Sequence, residues 1–507
     1  MKKYILLLLL SVGNQKGSFM NLQAIILAAG KSTRFNTEIS KLAHPICGQA
    51  MILFPTKLLQ TLEIPTTVVV GYQQELIQSI IATEHGDTIN FIIQEKQEGT
   101  GHALACTKEL WNNEHILVIN ADVPFVAPEI ITSLYAEHIK NNAAISFITS
   151  SDPDETAKAF GRVIKNGKSI RIVEAKDFVG NINEQPCVNA GIYIINKDFL
   201  RNHIANLNTY NANKEFYITD LVSIASEHNL EIATVDVPFN MVRGINTLEE
   251  LWVAERTKHF ELIRYWMKQG VRFESPDRTY LDLNVIIGQG SYIGDGVHLR
   301  GNVNIGKNCR IQEYSSLKNV ILEDNVTIYA HCVVENSYIR SGAEVGPFAW
   351  LRANVTLEQQ CSIGSFVEIK NSTIGTETKA RHLSYIGDAI VGAHVNIGAG
   401  TITCNYDGIN KHKTVIKDHA FIGSNNALIA PVTIGSNAYT AAGSTITSDV
   451  PDNALAIART RQINKIDYVH KLKHIPAQHV KLPEPKLDDF SFIGARIIHP
   501  DSPEDEQ

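Results

Sequence analysis

The stretch Val285–Ile311, VIIGQGSYIGDGVHLRGNVNIGKNCRI, places an aliphatic residue at every sixth position: Ile287, Ile293, Leu299, Ile305 and Ile311. Glycine often follows the aliphatic residue. A period of six fits neither an α-helix nor an amphipathic strand of an ordinary sheet. It is typical of a parallel β-helix, in which each hexad forms one short strand and one corner. The stretch therefore predicts a β-helix, with glycine or asparagine at corners that need a positive φ.

The same period continues through most of the second half of the chain, with two changes of phase. The further aliphatic positions are Leu317, Leu322, Ile328, Val334, Val345, Leu351, Leu357, Ile363 and Ile369, followed by Ile422, Leu428, Ile434, Thr440 and Ile446. The repeat is interrupted at Gly400–Thr414, GTITCNYDGINKHKT. Insertions in such repeats form loops on one face, often the binding face, so we expect this loop to be functional.

The first half of the chain has a different pattern. Between Leu22 and Ile245, the apolar runs AIILAA, TTVVVG, HILVIN and AAISFIT alternate with amphipathic stretches. This alternation predicts a mostly parallel sheet covered by helices. The segment after it has apolar residues at helical spacing and no glycine or proline before Gly270, which predicts a connecting helix. We expect a domain at 20–246, a linker helix at 247–267, a β-helix domain at 268–461 and a tail at 462–507.

Composition narrows the kinds of partner. The 507-residue chain has a formal net charge of −7, which argues against a broad nucleic-acid footprint. Its seven cysteines include no CxxC pair, so we expect free thiols rather than a disulfide framework or a zinc site. The apolar run at 4–12 is far shorter than the roughly 20 residues of a membrane span. We expect Met20 to be the natural start and 1–19 to be a dispensable extension.

The segment Ile25–Phe35, IILAAGKSTRF, contains Gly30-Lys31-Ser32, which looks like the end of a P-loop. A P-loop needs glycine five positions before Gly30, and that position is Ile25, inside an apolar run. The P-loop interpretation therefore fails. The small residues at the exit of this strand still allow backbone N–H groups to approach phosphate closely. With Arg34 and Lys41 nearby in sequence, they predict a triphosphate site of another kind.

LAAGKSTRF, followed by SKLAHPICGQAM, resembles the sugar-phosphate nucleotidyltransferase signature L-A-A-G-x-G-T-R-M. Further matches occur in the family order: QEKQEGTGHA, NADVPF, FGRV, IVEAKD, VNAGIY, EFYITD and VRGIN. Together with the hexad repeat, the chain from Met20 to about Arg461 resembles the bifunctional N-acetylglucosamine-1-phosphate uridyltransferases/glucosamine-1-phosphate acetyltransferases. The resemblance implies a Rossmann-like α/β nucleotidyltransferase domain followed by a left-handed parallel β-helix.

The resemblance also implies an activity: synthesis of UDP-N-acetylglucosamine for peptidoglycan, lipopolysaccharide and lipid A precursors. Glucosamine-1-phosphate would be acetylated by acetyl-CoA, and the product would then react with UTP and Mg²⁺ to release pyrophosphate. Because nucleotide substrates are absent outside the cell, we expect a cytoplasmic enzyme. The implied assembly is a homotrimer with acetyltransferase sites at subunit boundaries. No nucleic acid or membrane partner is expected.

For the first half, the resemblance implies contacts with nucleotide and UDP-sugar at Leu27, Ala28, Ala29, Gly30, Arg34, Lys41, Gln94, Gly99, Thr100, Asn120, Ala121, Asp122, Gly161, Glu174, Asn189 and Asn246. In this set, Gln94, Gly99 and Thr100 would contact uracil, and Gly161, Glu174 and Asn189 would hold the N-acetylglucosamine part. Asp122 and Asn246 would hold Mg²⁺. The chain departs from the family at Ser32, where the signature has glycine, and at Asn120-Ala121, where it usually has Tyr-Gly. The Cβ of Ser32 is tolerated if this residue keeps a negative φ.

For the second half, acetyl transfer to an amine needs a base, and histidine is the natural choice. The resemblance assigns this role to His382, with direct attack and no acetyl-enzyme. The amino-sugar phosphate would contact Arg352, Lys370, Tyr385 and Asn396. Acetyl-CoA would contact Ala399, Asn405, Tyr406, Ser424, Ala442 and Arg459. Lys411, in the inserted loop, would lie nearby, and Cys404 is interpreted as a bystander.

Two alternatives remain open at this point. One is a nucleotidyltransferase with a single activity, whose β-helix regulates or oligomerises the protein. The other is a scaffold without catalytic activity that shares both domain types. His382 with Arg352 and Lys370 argues against the first alternative. Asp122 with Asn246, Lys41 and Arg34 argues against the second.

Overall fold

The structure, a computed structural model, describes residues 21–151, 157–158, 160–167, 169–180, 186–466 and 468–472. The chain divides into two compact units, Met1–Ala458 and Arg459–Gln507. The expected extension at 1–19 lies outside the described residues, as does the predicted tail beyond residue 472. In the second unit the structure describes one short helix, Tyr468–Leu472.

The first unit begins with an α/β domain built on a nine-stranded sheet. The strands in chain order are β1 Leu22–Ala28, β2 Pro45–Ile46, β3 Gln49–Ala50, β4 Thr66–Val70, β5 Asn90–Ile93, β6 His115–Asn120, β7 Ile145–Ser150, β8 Arg162–Asn166, β9 Ser169–Val173, β10 Val188–Asn196 and β11 Ile232–Asp236. The order in the main sheet is β11-β7-β10-β6-β1-β4-β5, and β2 pairs with β3 separately. All neighbours along this order are parallel except β10, which is antiparallel to β6 and β7.

Helices cover both faces of this sheet. They are α1 Leu53–Thr61, α2 Gln74–His85, α3 Thr100–Ala105, α4 Pro128–Lys140, α5 Lys197–His203, α6 Asp220–Glu227 and α7 Phe239–Val242, with 3-10 turns at Thr33–Phe35, Lys41–Ala43, Lys108–Leu110 and Ile204–Asn206. Alternate residues of one strand belong to different cores: Ile26 to one cluster of buried side chains and Ile25 to the other. Burial on both faces explains why the strands are continuous apolar runs. The predicted mostly parallel α/β sheet is confirmed.

A long helix, α8 Leu248–Lys268, follows the α/β domain. Thr247 and Glu250 form a capping box at its start, in which each side chain accepts a hydrogen bond from the other residue's backbone N–H. Ile263 near the other end joins the buried core of the domain that follows. The helix ends at Lys268, and Gly270, two residues later, has a φ of +86°. In the described part of the chain, no helix is long and apolar enough to cross a lipid bilayer.

The rest of the first unit is a parallel β-helix, as the hexads predict. Its strands form parallel sheets of 11 and 17 strands, and a regular coil gives one strand to the smaller sheet and two to the larger. They are β12 Arg272–Phe273, β13 Tyr280–Leu281, β14 Ile286–Ile287, β15 Tyr292–Ile293, β16 His298–Arg300, β17 Asn304–Ile305, β18 Arg310–Ile311, β19 Ser316–Leu322, β20 Thr327–Ile328, β21 Val333–Ile339, β22 Glu344–Val345, β23 Trp350–Arg352, β24 Val355–Leu357, β25 Ser362–Ser365, β26 Glu368–Lys370, β27 Thr373–Ile374, β28 Lys379–His382, β29 Tyr385–Gly387, β30 Ala389–Val391, β31 Asn396–Ile397, β32 Ile402–Cys404, β33 Thr414–Ile416, β34 Phe421–Ile422, β35 Ala427–Ile429, β36 Val432–Ile434, β37 Tyr439–Thr440, β38 Thr445–Ile446 and β39 Leu455–Ala456.

The aliphatic residues of the hexads point inward and stack from coil to coil. Ile287, Leu299 and Ile305, for example, are at most 2% exposed. The first change of phase has a structural cause: β19 runs through a shortened corner, so that Leu317 and Leu322, five residues apart, are both buried. In the ladders, Leu299 pairs with Leu317 and Leu317 with Val334, so one coil takes 18 residues and the next takes 17.

Most corners with a positive φ have asparagine or glycine, but the residues of one corner are mainly aromatic. Tyr314, His331, Phe348, Phe366 and Leu383 occupy it in consecutive coils with φ between 42° and 58°. The four rings stack with centroids 5.0–5.3 Å apart. A left-handed backbone is unfavourable for bulky side chains, so stacking between coils has to offset this strain. We call this set the aromatic corner.

We predict that the buried residues of each hexad dominate the stability of the β-helix. Leu322→Ala should lower the free energy of unfolding by about 2–5 kcal/mol, because it leaves a cavity in a closed core. Ile321→Ala, on the same strand but with its side chain 44% exposed, is the matched control and should change it by less than about 1 kcal/mol. Urea unfolding followed by circular dichroism measures both, and equal effects would contradict this account of the hexad core.

Candidate active sites

The first candidate site lies at the carboxyl edge of the parallel strands. Strands β5, β4, β1 and β6 are neighbours, and the predicted residues Gln94, Ala29 and Asn120 come at or just after their carboxyl ends. Ala121 N–H donates to the carbonyl of Leu27 at 3.1 Å, which joins the exits of β1 and β6. Gly30 has open space around its Cα, with no other atom within 4 Å of the Cβ position. The segment 27–30, which is predicted to contact nucleotide and is called the nucleotide segment below, therefore reaches open space at Gly30.

Ser32 has φ 52° and ψ 48°, a left-handed conformation. The negative φ that would make this serine harmless is therefore not adopted. A left-handed residue with a Cβ costs about 1–2 kcal/mol relative to the right-handed region. Glycine, which the family signature has here, adopts this conformation without that cost. The departure from the signature thus adds local strain to the loop that follows the nucleotide segment.

The four polar residues predicted at phosphate and metal form one network. Lys41 Nζ donates to Asp122 Oδ2 at 2.6 Å, to Asn246 Oδ1 at 3.1 Å and to the carbonyl of Ile245 at 2.9 Å. Arg34 Nη2 donates to Asn246 Oδ1 at 2.9 Å. The oxygens of the two predicted metal ligands thus converge on a single cation, although 81 and 205 positions separate Lys41 from Asp122 and Asn246 in the sequence.

Glu250 was not among the predicted site residues, yet it holds one of them in place. Its Oε2 accepts from the backbone N–H of Asn246 as well as from that of Thr247. The capping box of α8 therefore fixes the backbone next to the Asn246 amide. The sequence contains the signal, because a threonine followed three positions later by glutamate marks such a helix start.

The residues predicted to contact uracil lie in one compact group. Gln94, only 3% exposed, donates to the carbonyl of Gly99 at 3.1 Å and forms a hydrogen bond with His102 Nδ1 at 3.0 Å. Thr100 Oγ1 accepts from Ile218 N–H at 3.1 Å. His102 therefore orients the Gln94 amide, which agrees with a hydrogen-bonding role rather than that of a catalytic base.

The residues predicted to contact the sugar form a second group. Asn189 N–H donates to the carbonyl of Gly161 at 2.9 Å, and a Cβ on Gly161 would come within 3.5 Å of Glu174 Oε2. Burial raises the pKa of Glu174, although a hydrogen bond from Thr219 to its Oε1 opposes the shift. Gly161, Glu174 and Asn189 are therefore neighbours, as a shared ligand would require.

Asn120, which stands where the family usually has tyrosine, packs against Gly191. A Cβ at Gly191 would lie 2.3 Å from Asn120 Nδ2, and the φ of this glycine is +72°. Glycine is thus required at this position both by its conformation and by the closeness of the Asn120 amide.

The second candidate site lies on the β-helix, and the register of its coils builds it. Arg352 on β23 pairs with Lys370 on β26, so these two predicted phosphate ligands lie directly above one another in adjacent coils. Glu368 Oε1 accepts from Arg352 Nε at 2.9 Å and from Nη2 at 2.6 Å. The guanidinium also lies 4.6 Å from the ring centroid of Trp350. Both contacts hold the guanidinium in one orientation.

The inserted loop, residues 405–413, leaves the β-helix between β32 and β33. Asp407 closes it: its carboxylate accepts from the backbone N–H of Asn410 and from His412 at 2.7 Å, and these contacts lower its pKa to about 2. Tyr406 OH donates to the carbonyl of Gly408 at 2.6 Å, while its side chain stays 60% exposed.

The loop adds a third cation to the site. The neighbouring Lys370 ammonium and, more weakly, Arg352 lower the pKa of Lys411. Three cationic side chains thus gather where a phosphate would neutralise their repulsion. Asn405, where the loop begins, donates through Nδ2 to Asp388 and lies 3.5 Å from Tyr385 OH. Lys370, Tyr385 and Asn405 are therefore brought together.

The remaining predicted residues lie along neighbouring coils. His382 ends β28 and is exposed, and Ser384 Oγ donates to its carbonyl at 2.8 Å. Asn396 on β31 pairs with Lys379 of the same strand as His382. Ala399, Ser424 and Ala442 occupy the same corner in successive coils, since Asn425 N–H donates to Ala399 O and Gly443 N–H to Ser424 O.

Arg459 and Cys404 complete the set of residues considered. Arg459 is the first residue of the second unit and is exposed. Burial raises the pKa of Cys404, which disfavours the thiolate that a nucleophile needs. All seven cysteines are free thiols.

We predict that Ser32 tolerates glycine but not a β-branched residue. Ser32→Gly should keep or raise kcat/KM for UTP, because it removes left-handed strain. Ser32→Val should lower kcat/KM by about tenfold or more, since a β-branched residue is a strong outlier at φ 52°. Steady-state pyrophosphate release measures both, with acetyl transfer by the same preparations as the control. A wild-type rate in Ser32→Val would contradict the left-handed loop.

Family models match segments in both halves of the chain. Residues 24–178 match the MobA-like NTP transferase domain, and 333–407 match the GMPPB C-terminal domain. Residues 284–319 and 413–448 match the bacterial transferase hexapeptide (six repeats). A solved structure of a putative glucose-1-phosphate thymidylyltransferase from Bacillus anthracis, in complex with a sucrose, is 19% identical, with a TM-score of 0.38 over 46% of this chain and 94% of its own.

Curated relatives match almost the whole chain. The Bifunctional protein GlmU of Thermosipho melanesiensis is 40% identical over 88% of this chain and 97% of its own length. The proteins of the same name from Exiguobacterium sibiricum and Streptococcus agalactiae are 39% and 38% identical, over 89% and 90% of this chain and 100% of their own. The chain is a bifunctional enzyme of UDP-N-acetylglucosamine synthesis, with uridyltransferase and acetyltransferase activities. It belongs to the family of the bifunctional GlmU proteins.

Proposed function

We propose that the two reactions occur at the two sites described above, acetyl transfer on the β-helix and uridyl transfer at the carboxyl edge of the α/β sheet. The observation that supports this division is that each domain has its own group of paired cations. Lys41 and Arg34 form one group, and Arg352, Lys370 and Lys411 form the other. The corresponding domains are 20–246 and 268–461, joined by a linker helix at 247–267, with a tail at 462–507.

In uridyl transfer, a phosphate oxygen of N-acetylglucosamine-1-phosphate attacks the α-phosphorus of UTP. A new P–O bond forms, the bond from the α-phosphorus to the bridging oxygen breaks, and pyrophosphate leaves. Both reactants are anions, so positioning and neutralisation of charge are the main tasks. Lys41 and Arg34 supply positive charge, and the backbone of 28–30 approaches the phosphates. Gln94, Gly99 and Thr100 contact uracil, while Gly161, Glu174 and Asn189 hold the sugar.

Asp122 and Asn246 would hold Mg²⁺ in this reaction. The two side chains fit Mg²⁺, because a carboxylate oxygen and an amide oxygen are both hard ligands. These oxygens lie 2.6 and 3.1 Å from the Lys41 ammonium nitrogen, so they already face a positive charge. The described residues contain no group of three or more His, Cys, Asp or Glu side chains that could hold a metal ion. Substrate phosphates would complete the coordination. Bound Mg²⁺ would neutralise charge on the phosphates.

In acetyl transfer, His382 takes a proton from the amino group of glucosamine-1-phosphate. The amine attacks the acetyl carbonyl carbon of acetyl-CoA, an amide bond forms, and the thioester bond breaks. CoA leaves as a thiolate and takes up the proton that the amine has lost. Arg352, Lys370, Tyr385 and Asn396 bind the amino-sugar phosphate. The residues proposed for acetyl-CoA are Ala399, Asn405, Tyr406, Ser424, Ala442 and Arg459.

A reciprocal pair of variants tests this division. His382→Ala should lower kcat for acetyl transfer by about 10²–10⁴-fold, the usual effect of losing a general base. Asp122→Ala should lower uridyl transfer by about 10²-fold or more, because the carboxylate that holds the Lys41 ammonium and would hold Mg²⁺ is lost. CoA release and pyrophosphate release measure the two activities separately.

The other activity of each variant is its internal control and should stay at the wild-type level. His394→Ala, which removes an exposed histidine from another corner, should change neither activity. Chelation of divalent cations should stop uridyl transfer alone. Loss of both activities in either variant, with the assembly intact, would refute two independent sites.

We further propose that the chain acts in the cytoplasm as a homotrimer. The aromatic corner supports assembly through the β-helix, because Phe348, Phe366 and Leu383 are 47–63% exposed and Leu383 directly follows His382. Sedimentation equilibrium should give three times the chain mass of 56.1 kDa. Phe366→Glu should weaken the assembly and lower acetyl transfer more than uridyl transfer, while Val179→Glu, on the α/β domain and 99% exposed, should not. A monomer with full acetyltransferase activity would exclude the trimer.

A further inference from the structure

One corner of the β-helix follows the strands on which Arg352, Lys370 and Tyr385 lie. In four successive coils this corner has asparagine in a left-handed conformation: Asn319, Asn336, Asn354 and Asn371, with φ of 54°, 46°, 67° and 47°. The next coil has Asp388 with φ 49°, and the coil after that has Asn405, where the inserted loop begins. Asparagine meets the conformational need of this corner, so the turn alone does not explain a carboxylate at 388.

The Asp388 side chain is buried, and both of its carboxylate oxygens accept hydrogen bonds. The residue is 6% exposed. Its Oδ1 accepts from Asn371 Nδ2 at 2.6 Å in the coil below. Its Oδ2 accepts from Asn405 Nδ2 in the coil above and lies 3.4 Å from Lys370 Nζ. Although burial opposes ionisation, the hydrogen bonds from Asn371 and Asn405 and the charge of Lys370 lower the pKa of Asp388.

An amide at this position could not make the same contacts. A carboxylate is acceptor-only, so Asp388 can receive the Asn371 and Asn405 amides from opposite sides. The side chain of asparagine has one acceptor end and one donor end. Its NH₂ group would therefore face the NH₂ group of either Asn371 or Asn405. It would also leave the Lys370 ammonium, already beside Lys411, without a counter-charge.

The surroundings of Gly387 show how closely the Tyr385 hydroxyl and the Asn405 amide approach the backbone. A Cβ there would lie 2.4 Å from Tyr385 OH and 2.9 Å from Asn405 Nδ2. Tyr385 and Asn405 thus meet over the backbone next to Asp388. The carboxylate contacts Lys370 and Asn405 directly and reaches Tyr385 through Asn405.

We propose that Asp388 is a positioning residue for acetyl transfer, which holds the Lys370 ammonium and the Asn405 amide in the orientations that bind the amino-sugar phosphate and acetyl-CoA. This inference rests on the proposed roles of Lys370 and Asn405. The carboxylate itself does not touch the reacting atoms; it acts through its two neighbours.

The test is the near-isosteric variant Asp388→Asn. It should raise KM for glucosamine-1-phosphate by about tenfold or more, with a smaller effect on kcat, because hydrogen bonds to charged groups are strong. Uridyl transfer should stay near the wild-type value. Asn336→Asp exchanges amide and carboxylate at the same corner three coils away and should leave both activities unchanged. An unchanged or lower KM in Asp388→Asn would overturn the proposal.

A double-mutant cycle separates positioning from a general structural effect. Lys370→Met alone should raise KM for glucosamine-1-phosphate, and adding Asp388→Asn should then raise it much less than in the wild-type background. Additive effects would contradict action through Lys370. No effect of Lys370→Met would instead contradict the proposed function of Lys370 itself. If Asp388→Asn does not fold, Asp388→Glu, which keeps the charge, takes its place in the cycle, with the same non-additivity expected.

Discussion

The stacking of buried aliphatic side chains in successive coils is the constraint on which the second half of this molecule depends. Leu299, Leu317 and Val334 lie above one another at intervals of 18 and 17 residues. Because the inward position is fixed in this way, every outward position is fixed with it. Leu351 and Ile369, which directly precede Arg352 and Lys370 in the sequence, are paired in the core. Arg352 and Lys370 become neighbours because of this pairing. The closeness of Arg352 and Lys370 is thus a consequence of the register, whereas the inserted loop supplies Lys411.

The candidate site of the α/β half also brings together residues that are distant in the sequence, but it does so without stacked coils. Its site collects residues from the ends of neighbouring strands, and the long helix that leaves the domain contributes as well. Glu250 caps that helix and at the same time fixes the backbone of Asn246. The helix is therefore more than a connector, since its first turn holds a proposed metal ligand. A substitution that frays this turn would disturb the Lys41–Asp122–Asn246 network from outside it.

Much of this could be predicted from the sequence, for physical reasons. A six-residue period is a strong signal because each hexad must bury one residue, and the predicted positions are indeed the buried ones. The proposed site residues come from motifs that resemble a known family, and the structure brings Lys41, Asp122 and Asn246 among them together. The conformation of Ser32 was not predictable, since the neighbouring residue types do not determine the sign of its φ. Asp388 and Glu368 were missed because their roles depend on which residues stack across coils and on where the inserted loop begins.

The contact between Arg352 and the ring of Trp350 has an optical consequence. Of the four tryptophans, Trp111 is buried in the α/β domain, and Trp252 and Trp266 lie on the long helix. Trp350 lies on the outer face of the β-helix and is 42% exposed. Its ring centroid is 4.6 Å from the Arg352 guanidinium in the proposed phosphate site. An anion that draws the guanidinium toward itself changes the electric field at this indole. The second site therefore contains its own fluorophore, and ligand occupancy there can be followed by emission without a label.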